Sequence, residues 1–370
     1  MRILCLLTDA FGGHGGIAKF NRDLLTALCA NPAVEEVVAI PRLMPNSGEA
    51  QPPKLKYVTA GLGGKARYLQ VLAAELRAAG GFDLLVCGHI NLLPAAWPSA
   101  RLTGARLLLV VHGIDAWRPT NNRVCNSLAR RVDRFISVSK LTRDRFAAWT
   151  GLSPEKGFIL PNSVDLARFT PGPRNGALVE RYGLRGKKVV MTLGRLVSQE
   201  RCKGFDAVLD VLPELARAAP DVAYLIAGDG SDRGRLEKKA RVLGVSEWVV
   251  FAGMIPEDEK VDHYRLADVY AMPSKGEGFG IVFLEAMACG VPVIGSKSDG
   301  GREALRDGML GTLVDPDSRE ELKAAILVSF SAKTGVVPEG LEYFSFEAFQ
   351  ERVDELLAIR PSLRQREDST

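Results

Sequence analysis

The chain has 370 residues, of which 46% are apolar and 25% charged, and its net charge is +4. This composition is ordinary for a globular protein, and the length predicts two to three domains, each large enough for its own core. The longest apolar runs, such as residues 107–111, are far shorter than the roughly 18 residues that cross a bilayer, which excludes a membrane-spanning helix. The apolar start is also too short for a signal peptide.

The six cysteines are scattered along the chain without a C-x-x-C pair. This spacing argues against a disulfide framework and against a zinc site, and it predicts a cytoplasmic protein.

Short β-branched runs alternate with helical segments along the first half of the chain. We predict strands at 2–8, 34–41, 54–60, 82–89, 105–113, 134–139 and 157–162. Helices are predicted between most of them, for example at 17–29, 65–79 and 140–149.

A second series of strands follows the Pro/Gly-rich segment 170–176. We predict its strands at 188–195, 222–228, 248–253, 269–274, 291–296 and 311–314. Strand–helix alternation of this kind indicates parallel sheets with helices on both faces. The predicted fold class is therefore α/β, with two doubly wound domains that face a cleft. Ligands bind at the carboxyl ends of such strands.

Glycines and basic residues follow several predicted strands. The first strand leads into a glycine loop, in which Gly15 and Gly16 offer backbone N–H groups to a phosphate. The loop also matches the dinucleotide pattern G-x-G-x-x-A at 13–18, which makes a hydride-transfer enzyme the rival interpretation. That pattern requires an acidic residue at the end of the next strand, but the strand at 34–41 ends in proline.

The segment 274–292 is the most informative part of the chain. Glu277 lies in a glycine-broken loop, and Glu285 lies in the helix that follows, which Gly290 and Pro292 end. The loop brings a carboxylate and free N–H groups to a helix N-terminus, where an anion is favoured. Two acceptors that flank an anion site suit a ligand with phosphate in the middle and hydroxyls at both ends, such as a nucleotide sugar.

Metal and nucleic-acid sites are not predicted. The four histidines lack metal-ligand spacing. The D-P-D at 315–317 precedes a helical segment and is interpreted as a turn and helix cap. Basic and aromatic residues alternate only briefly, at 56–68.

Several short motifs together resemble a known enzyme family. They are GGHGG at 12–16, HG at 112–113, PNSVDLARF at 161–169, GRL at 194–196, KG at 203–204, AGDGSDRGRLE at 227–237, FAG at 251–253 and the segment 274–294. In this order they resemble the retaining glycosyltransferases of family 4, which have the GT-B fold of two Rossmann-like domains. Two departures are Ser163, where the family commonly has glycine, and a longer segment between Arg195 and Lys203.

The resemblance implies a domain organisation. Residues 1–170 would form the acceptor-binding domain and residues 171–342 the nucleotide-sugar-binding domain. Residues 343–370 would contain a C-terminal helix that crosses back to the first domain, followed by a frayed tail.

The resemblance also implies roles for individual residues. Arg195 and Lys203 would grip the donor diphosphate, and two cations there would stabilise its developing charge without a metal or other cofactor. Glu285 would accept the ribose hydroxyls, Glu277 would bind the sugar, and His112 would lie beside the anomeric carbon. The remaining predicted donor-binding residues are Gly15, Gly16, Gly253, Met254, Gly278, Phe279, Gly280 and Ile281.

We therefore expect retaining transfer of a sugar from a UDP- or GDP-sugar to an acceptor hydroxyl. Residues 1–175 carry 22 Lys and Arg against 12 Asp and Glu, a net charge of +10, whereas residues 176–370 carry −6. The basic half favours a lipid-linked or surface-polysaccharide acceptor and peripheral contact with an anionic membrane, with Lys54, Lys56, Lys65 and Arg67 as expected contacts. Two alternatives stay open: a synthase with a small soluble acceptor of the sucrose or trehalose type, and a catalytically silent sugar-nucleotide binder.

Overall fold

A computed structural model describes residues 1–46, 49–78 and 80–359. This part of the chain contains two parallel sheets, of seven and six strands. The first sheet consists of β1 (Arg2–Leu7), β2 (Glu36–Pro41), β3 (Leu55–Tyr57), β4 (Leu84–Cys87), β5 (Arg106–Val111), β6 (Arg134–Ser137) and β7 (Gly157–Ile159). The second consists of β8 (Lys188–Leu193), β9 (Val222–Ala227), β10 (Val249–Gly253), β11 (Val269–Ala271), β12 (Val293–Ser296) and β13 (Thr312–Val314).

Helices connect these strands and cover the faces of the sheets. Those of the first half are α1 (Gly16–Ala30), α2 (Lys65–Ala78), α3 (Leu93–Thr103), α4 (Arg123–Ala129) and α5 (Lys140–Thr150). Those of the second half are α6 (Gly176–Tyr182), α7 (Phe205–Ala218), α8 (Arg233–Val242), α9 (Lys260–Tyr264), α10 (Ile281–Ala288), α11 (Gly301–Ala304), α12 (Arg319–Ser329) and α13 (Phe346–Ala358).

The strand orders make both sheets doubly wound. They run β3-β2-β1-β4-β5-β6-β7 and β10-β9-β8-β11-β12-β13, so the order reverses beside β1 and beside β8. Every predicted strand is present, and the predicted pair of Rossmann-like sheets is confirmed. The domain boundaries at 170 and 342 stay predictions. Each reversal opens a crevice at the carboxyl ends of the strands, where ligands of such sheets bind.

The central strands are continuous apolar runs because helices cover both of their faces. In β1, Ile3 and Leu4 are fully buried although they point to opposite faces, and every residue of β9 is buried. Because both faces of the central strands are packed, the two sheets hold the loops at their carboxyl ends in place.

The last helix, α13, crosses back to the first half of the chain, as predicted. The ring of Phe349 packs edge-on against Phe20 of α1, with 5.7 Å between centroids. The side chains of Asn31 and Asp354 share a hydrogen bond of 2.6 Å. Just before α13, the carbonyl of Phe344 accepts the backbone N–H of Val164 at 2.8 Å.

Two further features bear on the sequence-based expectations. All six cysteines lie within the described ranges and are unpaired thiols. In these same ranges, every helix is too short or too polar to cross a membrane.

Candidate active site

The loops at the carboxyl ends of the two sheets meet across a cleft. A β-carbon built on Gly16, at the start of α1, would lie 3.6 Å from the side chain of Ile281, at the start of α10. A β-carbon built on Gly278 would lie 2.3 Å from the carbonyl oxygen of His112. The predicted site residues of the first half are therefore brought to the glutamate loop of the second half.

Glu277 lies in the loop after β11, and Asp299 holds that loop in place. Asp299 accepts the Glu277 backbone N–H at 2.9 Å, the Ser274 hydroxyl at 2.6 Å and the Gly301 N–H at 3.0 Å. Its side chain is buried, and burial raises the pKa of this carboxyl to about 6. The Glu277 carbonyl in turn accepts the N–H of Gly300 at 2.9 Å.

Of the two predicted diphosphate-binding cations, Lys203 lies beside Glu277, and both cations contact the carboxylate of Glu200. The Lys203 ammonium is 3.2 Å from the Glu277 carboxylate and 3.5 Å from that of Glu200. The other oxygen of Glu200 contacts the Arg195 guanidinium. The negative charge of Glu277 raises the pKa of Lys203, which keeps this group cationic. Glu200 lies in the 3₁₀ turn Ser198–Lys203, within the segment that departs from the family pattern.

The start of α10 presents backbone N–H groups, and such groups at a helix N-terminus suit an anion. In the described part of the chain, the N–H groups of residues 278–281 donate no hydrogen bond. Gly280 adopts φ 91°, a left-handed conformation that suits glycine and turns the loop into the helix. The Phe279 side chain is buried against Phe344, so Phe279 can contribute only its backbone to a donor.

Glu285 is buried in α10, and both of its oxygens are hydrogen-bonded. One accepts the Lys260 ammonium at 2.8 Å, and the other accepts the Tyr264 hydroxyl at 2.7 Å. Only 2% of the residue is exposed. Each carboxylate oxygen has two lone pairs, so both oxygens can still accept one further hydroxyl hydrogen. Lys260 and Tyr264 of α9 thus hold the Glu285 carboxylate in position, and its remaining lone pairs are the ones that the predicted ribose contact would use.

His112 is held at the end of β5 by contacts on both sides of its ring. Its Nε2–H donates to the Gly88 carbonyl at 3.0 Å, and the Phe20 ring packs edge-on against it with 5.2 Å between centroids. The His112 carbonyl faces Gly278 across the cleft. His89 and Asp115 lie on the same side of the cleft, with 3.8 Å between His89 Nε2 and a carboxylate oxygen of Asp115.

The other predicted donor residues line the edges of the cleft. Gly15 adopts φ 88° at the N-terminus of α1, and a β-carbon there would meet no atom within 4 Å. Gly253 accepts the Gly228 N–H at 2.7 Å, and the next side chain, Met254, is 81% exposed. These positions leave room for a ligand beside them.

Two polar contacts join the loops of the two sheets. The Ser139 hydroxyl donates to the Gly278 carbonyl at 2.8 Å. The Glu303 carboxylate of α11 accepts the N–H groups of Lys140 and Leu141 at 2.7 and 2.8 Å, at the start of α5. Glu303 of the second half thus caps helix α5 of the first half, because it accepts backbone N–H groups that have no partner within the helix.

Sequence reasoning missed Glu200, Lys260, Asp299 and Glu303. Asp299 follows a predicted strand, so the rule that drew attention to Glu277 could have found it. No sequence pattern marked Lys260 or Glu303, because each forms its hydrogen bonds with a residue far away in the sequence. Among the described residues, no group of three or more His, Cys, Asp or Glu side chains is arranged to hold a metal ion.

Two family models match the chain. One, described as Glycosyltransferase Family 4, matches residues 14–168, and the other, Glycosyl transferases group 1, matches residues 179–330. Together they cover every strand of the two sheets except β1, and they include all of the predicted site residues.

Similar proteins point the same way. The chain is 40% identical over 241 residues to the GDP-mannose-dependent alpha-(1-6)-phosphatidylinositol monomannoside mannosyltransferase of Mycolicibacterium smegmatis, and this match spans 62% of either chain. It is 28% identical over 359 residues to D-inositol 3-phosphate glycosyltransferase 1 of Catenulispora acidiphila, which spans 90% of this chain and 82% of that one.

A solved structure shares the whole fold. The crystal structure of Anabaena Alr3699/HepE in complex with UDP and glucose superposes with a TM-score of 0.75 at 22% identity, over 97% of this chain and 100% of that chain. The order of motifs, the paired doubly wound sheets and the two family matches agree. The chain therefore belongs to glycosyltransferase family 4, the group 1 glycosyl transferases, and has their GT-B fold.

Proposed function

We propose that the protein transfers a sugar from a nucleoside-diphosphate sugar to an acceptor hydroxyl, with retention of the anomeric configuration. The observation that carries this proposal is the cluster of Arg195, Lys203 and Glu277 beside the free N–H groups of residues 278–281. Cations and N–H groups suit a diphosphate, and a carboxylate next to them suits sugar hydroxyls.

In this proposal the site stabilises two charges that develop during transfer, a negative charge on the leaving diphosphate and a positive charge on the sugar. The two cations and the N–H groups stabilise the negative charge on the departing diphosphate. The acceptor attacks from the side of the leaving group, and the leaving phosphate takes its proton. The His112 carbonyl faces the oxocarbenium-like sugar from the first sheet. None of these steps assigns a role to a metal ion, so we expect activity to persist in EDTA.

The names of the similar proteins suggest which chemical classes of donor and acceptor the protein uses. The names of both relatives include an acceptor with a phosphorylated inositol, and one of them includes GDP-mannose as the donor. We propose a phosphoinositol-bearing acceptor and a GDP-sugar donor, with a UDP-sugar as the alternative. The test is transfer of labelled sugar from GDP-mannose and UDP-glucose to phosphatidylinositol mannoside and to D-inositol 3-phosphate. Turnover with neither acceptor class would contradict the proposal.

Two variants test the assigned roles. Glu285→Ala should weaken binding of the free nucleoside diphosphate by roughly 1–3 kcal/mol, because the ribose hydroxyls lose their acceptor. Glu277→Ala should leave that affinity nearly unchanged and sharply reduce sugar transfer. Calorimetry that shows equal losses of diphosphate affinity in both variants would contradict the assignment.

We also propose peripheral contact of the first half with an anionic membrane. Lys65 and Arg67 begin α2, and Leu69 on the same helix is 52% exposed. Lys56 is paired with Glu75 at 2.7 Å, and the Lys54 ammonium donates to two backbone carbonyls. Arg67 is exposed and donates to the Ala60 carbonyl through Nε at 3.0 Å, which leaves the end of its guanidinium for a lipid phosphate, so we restrict the expected contact to α2. Binding to anionic vesicles at low salt, lost at high salt, is expected, since each basic residue contributes about 1 kcal/mol at most.

A small soluble acceptor is the second candidate. It is favoured by the match to the inositol phosphate glycosyltransferase, which spans more of the chain than the match to the mannosyltransferase. Transfer to D-inositol 3-phosphate together with an absence of vesicle binding would select it.

A further inference from the structure

A second cavity lies at the opposite edge of the second sheet from the cleft. Its volume is about 460 Å³, and it is lined by residues at the amino ends of β8, β11 and β12, by the linker segment 172–174 and by the turn at 334–335. The amino ends of parallel strands point away from the carboxyl ends, so this cavity is separate from the proposed donor site.

The cavity is strongly basic. Arg174, Lys187, Lys188 and Arg265 line it, and its one acidic lining residue is Asp268. These side chains give the lining a net charge of +3, and those within residues 176–370 contribute +2, although that part of the chain as a whole carries −6. The local charge is therefore opposite to that of the half of the chain in which it lies.

Asp268 does not neutralise the lysines. Its Oδ2 accepts the Arg174 guanidinium at 2.6 Å and the Val189 N–H at 2.7 Å. Lys188 donates to the carbonyl of Phe330 at 3.1 Å. Within the described ranges, neither Lys187 nor Lys188 forms an ion pair with a carboxylate. Arg265 is paired with Asp262 at 3.3 Å, so the two lysines carry the unpaired positive charge of the lining, and a concave surface of this kind concentrates anions.

Both chain segments that connect the two sheets border this cavity. Arg265 donates to the Thr170 carbonyl and hydroxyl, each at 3.0 Å, which ties the first connection to the end of α9. On the return connection, the Gly335 N–H donates to the Gly290 carbonyl at 2.8 Å. A ligand in the cavity would contact both connections at once.

We propose that this cavity binds a small phosphate-bearing molecule, at a site distinct from the donor cleft. The volume lies within the range of small-molecule pockets, and the lysines and guanidinium groups supply the donors that phosphate oxygens prefer.

Hydrogen exchange of the wild-type protein with inorganic phosphate tests the site directly. We expect slower exchange in peptides that cover 172–188 and 331–336. Peptides that cover 194–204 and 274–282 report separately on phosphate in the cleft. Protection confined to the cleft peptides would overturn the proposal.

A pair of variants gives a second test. Lys187→Gln combined with Lys188→Gln should lower the phosphate affinity of the cavity by at least about tenfold. The control is Lys238→Gln, which removes one exposed lysine of α8 and should leave the affinity unchanged. Equal affinity in the double variant and the wild type would overturn the proposal. Since both readouts are binding, they do not depend on whether sugar transfer is detected.

Discussion

The carbonyl of His112 lies so close to Gly278 that a β-carbon at position 278 would be 2.3 Å from its oxygen. The same β-carbon would be 2.9 Å from the Cα of Gly113. Both distances are far shorter than van der Waals contact, so only glycine lets the two loops meet in this arrangement. This approach joins the predicted sugar-binding loop of one sheet to the residue that we place beside the anomeric carbon on the other.

Gly278→Ala should therefore separate the two loops. We expect a loss of sugar transfer of about tenfold to a hundredfold, because reacting groups would be displaced, with a much smaller change in nucleoside-diphosphate affinity. The control is Gly234→Ala in α8, where a β-carbon meets no atom within 4 Å. Steady-state kinetics with unchanged kcat in Gly278→Ala would show that the close approach is unnecessary for transfer.

Glu200 should compete with the donor diphosphate, because its carboxylate lies between the two cations. Glu200→Gln removes that negative charge and should strengthen nucleoside-diphosphate binding by up to about fivefold, the scale of a partly exposed ion pair. Glu214→Gln, which breaks a pair with Lys323 on the far helices α7 and α12, is the matched control. Weaker binding in Glu200→Gln, measured by calorimetry, would mean that Glu200 positions the cations instead.

Lys260 should stabilise the fold through the buried carboxylate of Glu285. Lys260→Met leaves that charge without its cation, and we expect the free energy of unfolding to fall by about 3–5 kcal/mol. Adding Glu285→Gln removes the unpaired charge and should restore most of the loss. Chemical denaturation of the two single variants and the double variant measures this coupling. Strictly additive losses would show that the two side chains do not interact.

Asp299 should make stability depend on pH. Its pKa in the folded protein is about 6, above its ordinary value of 3.8, so the folded state binds the proton more tightly. Protonated Asp299 therefore adds up to about 3 kcal/mol to the free energy of unfolding. This stabilisation is fully present below about pH 4 and is lost as the pH rises through 6. Asp299→Asn should remove this part of the pH dependence. Identical slopes for the variant and the wild type between pH 4 and 7 would contradict the assignment.

Most of the fold could be predicted because strand–helix alternation and strand ends are local signals. Every predicted strand is present, and the loop of Glu277 lies at the carboxyl end of β11, where the pattern placed it. The partners of those residues could not be predicted. Lys260 reaches Glu285 across 25 positions, and Glu303 reaches Lys140 across 163. Such pairs depend on how helices and sheets pack, and no short-range pattern encodes them.

The segment between Arg195 and Lys203 shows the limit most clearly. Its extra length is visible in the sequence, but the contact of Glu200 with both cations is not. Glu200 adopts φ −118° and ψ 26° at a kink in the 3₁₀ segment, where its carboxylate contacts Lys203 three residues ahead and Arg195 five residues behind.

The most direct measurement is proton NMR of the sugar product formed from GDP-mannose and a phosphoinositol-bearing acceptor in EDTA. We predict an α-linked product from the α-linked donor, formed together with GDP at a rate that chelation does not change. Lys203→Ala should form the same product at least about tenfold more slowly, because one charge-assisted contact to the leaving group is lost. A β-linked product, or transfer that stops in EDTA and resumes with Mg²⁺ or Mn²⁺, would contradict the account.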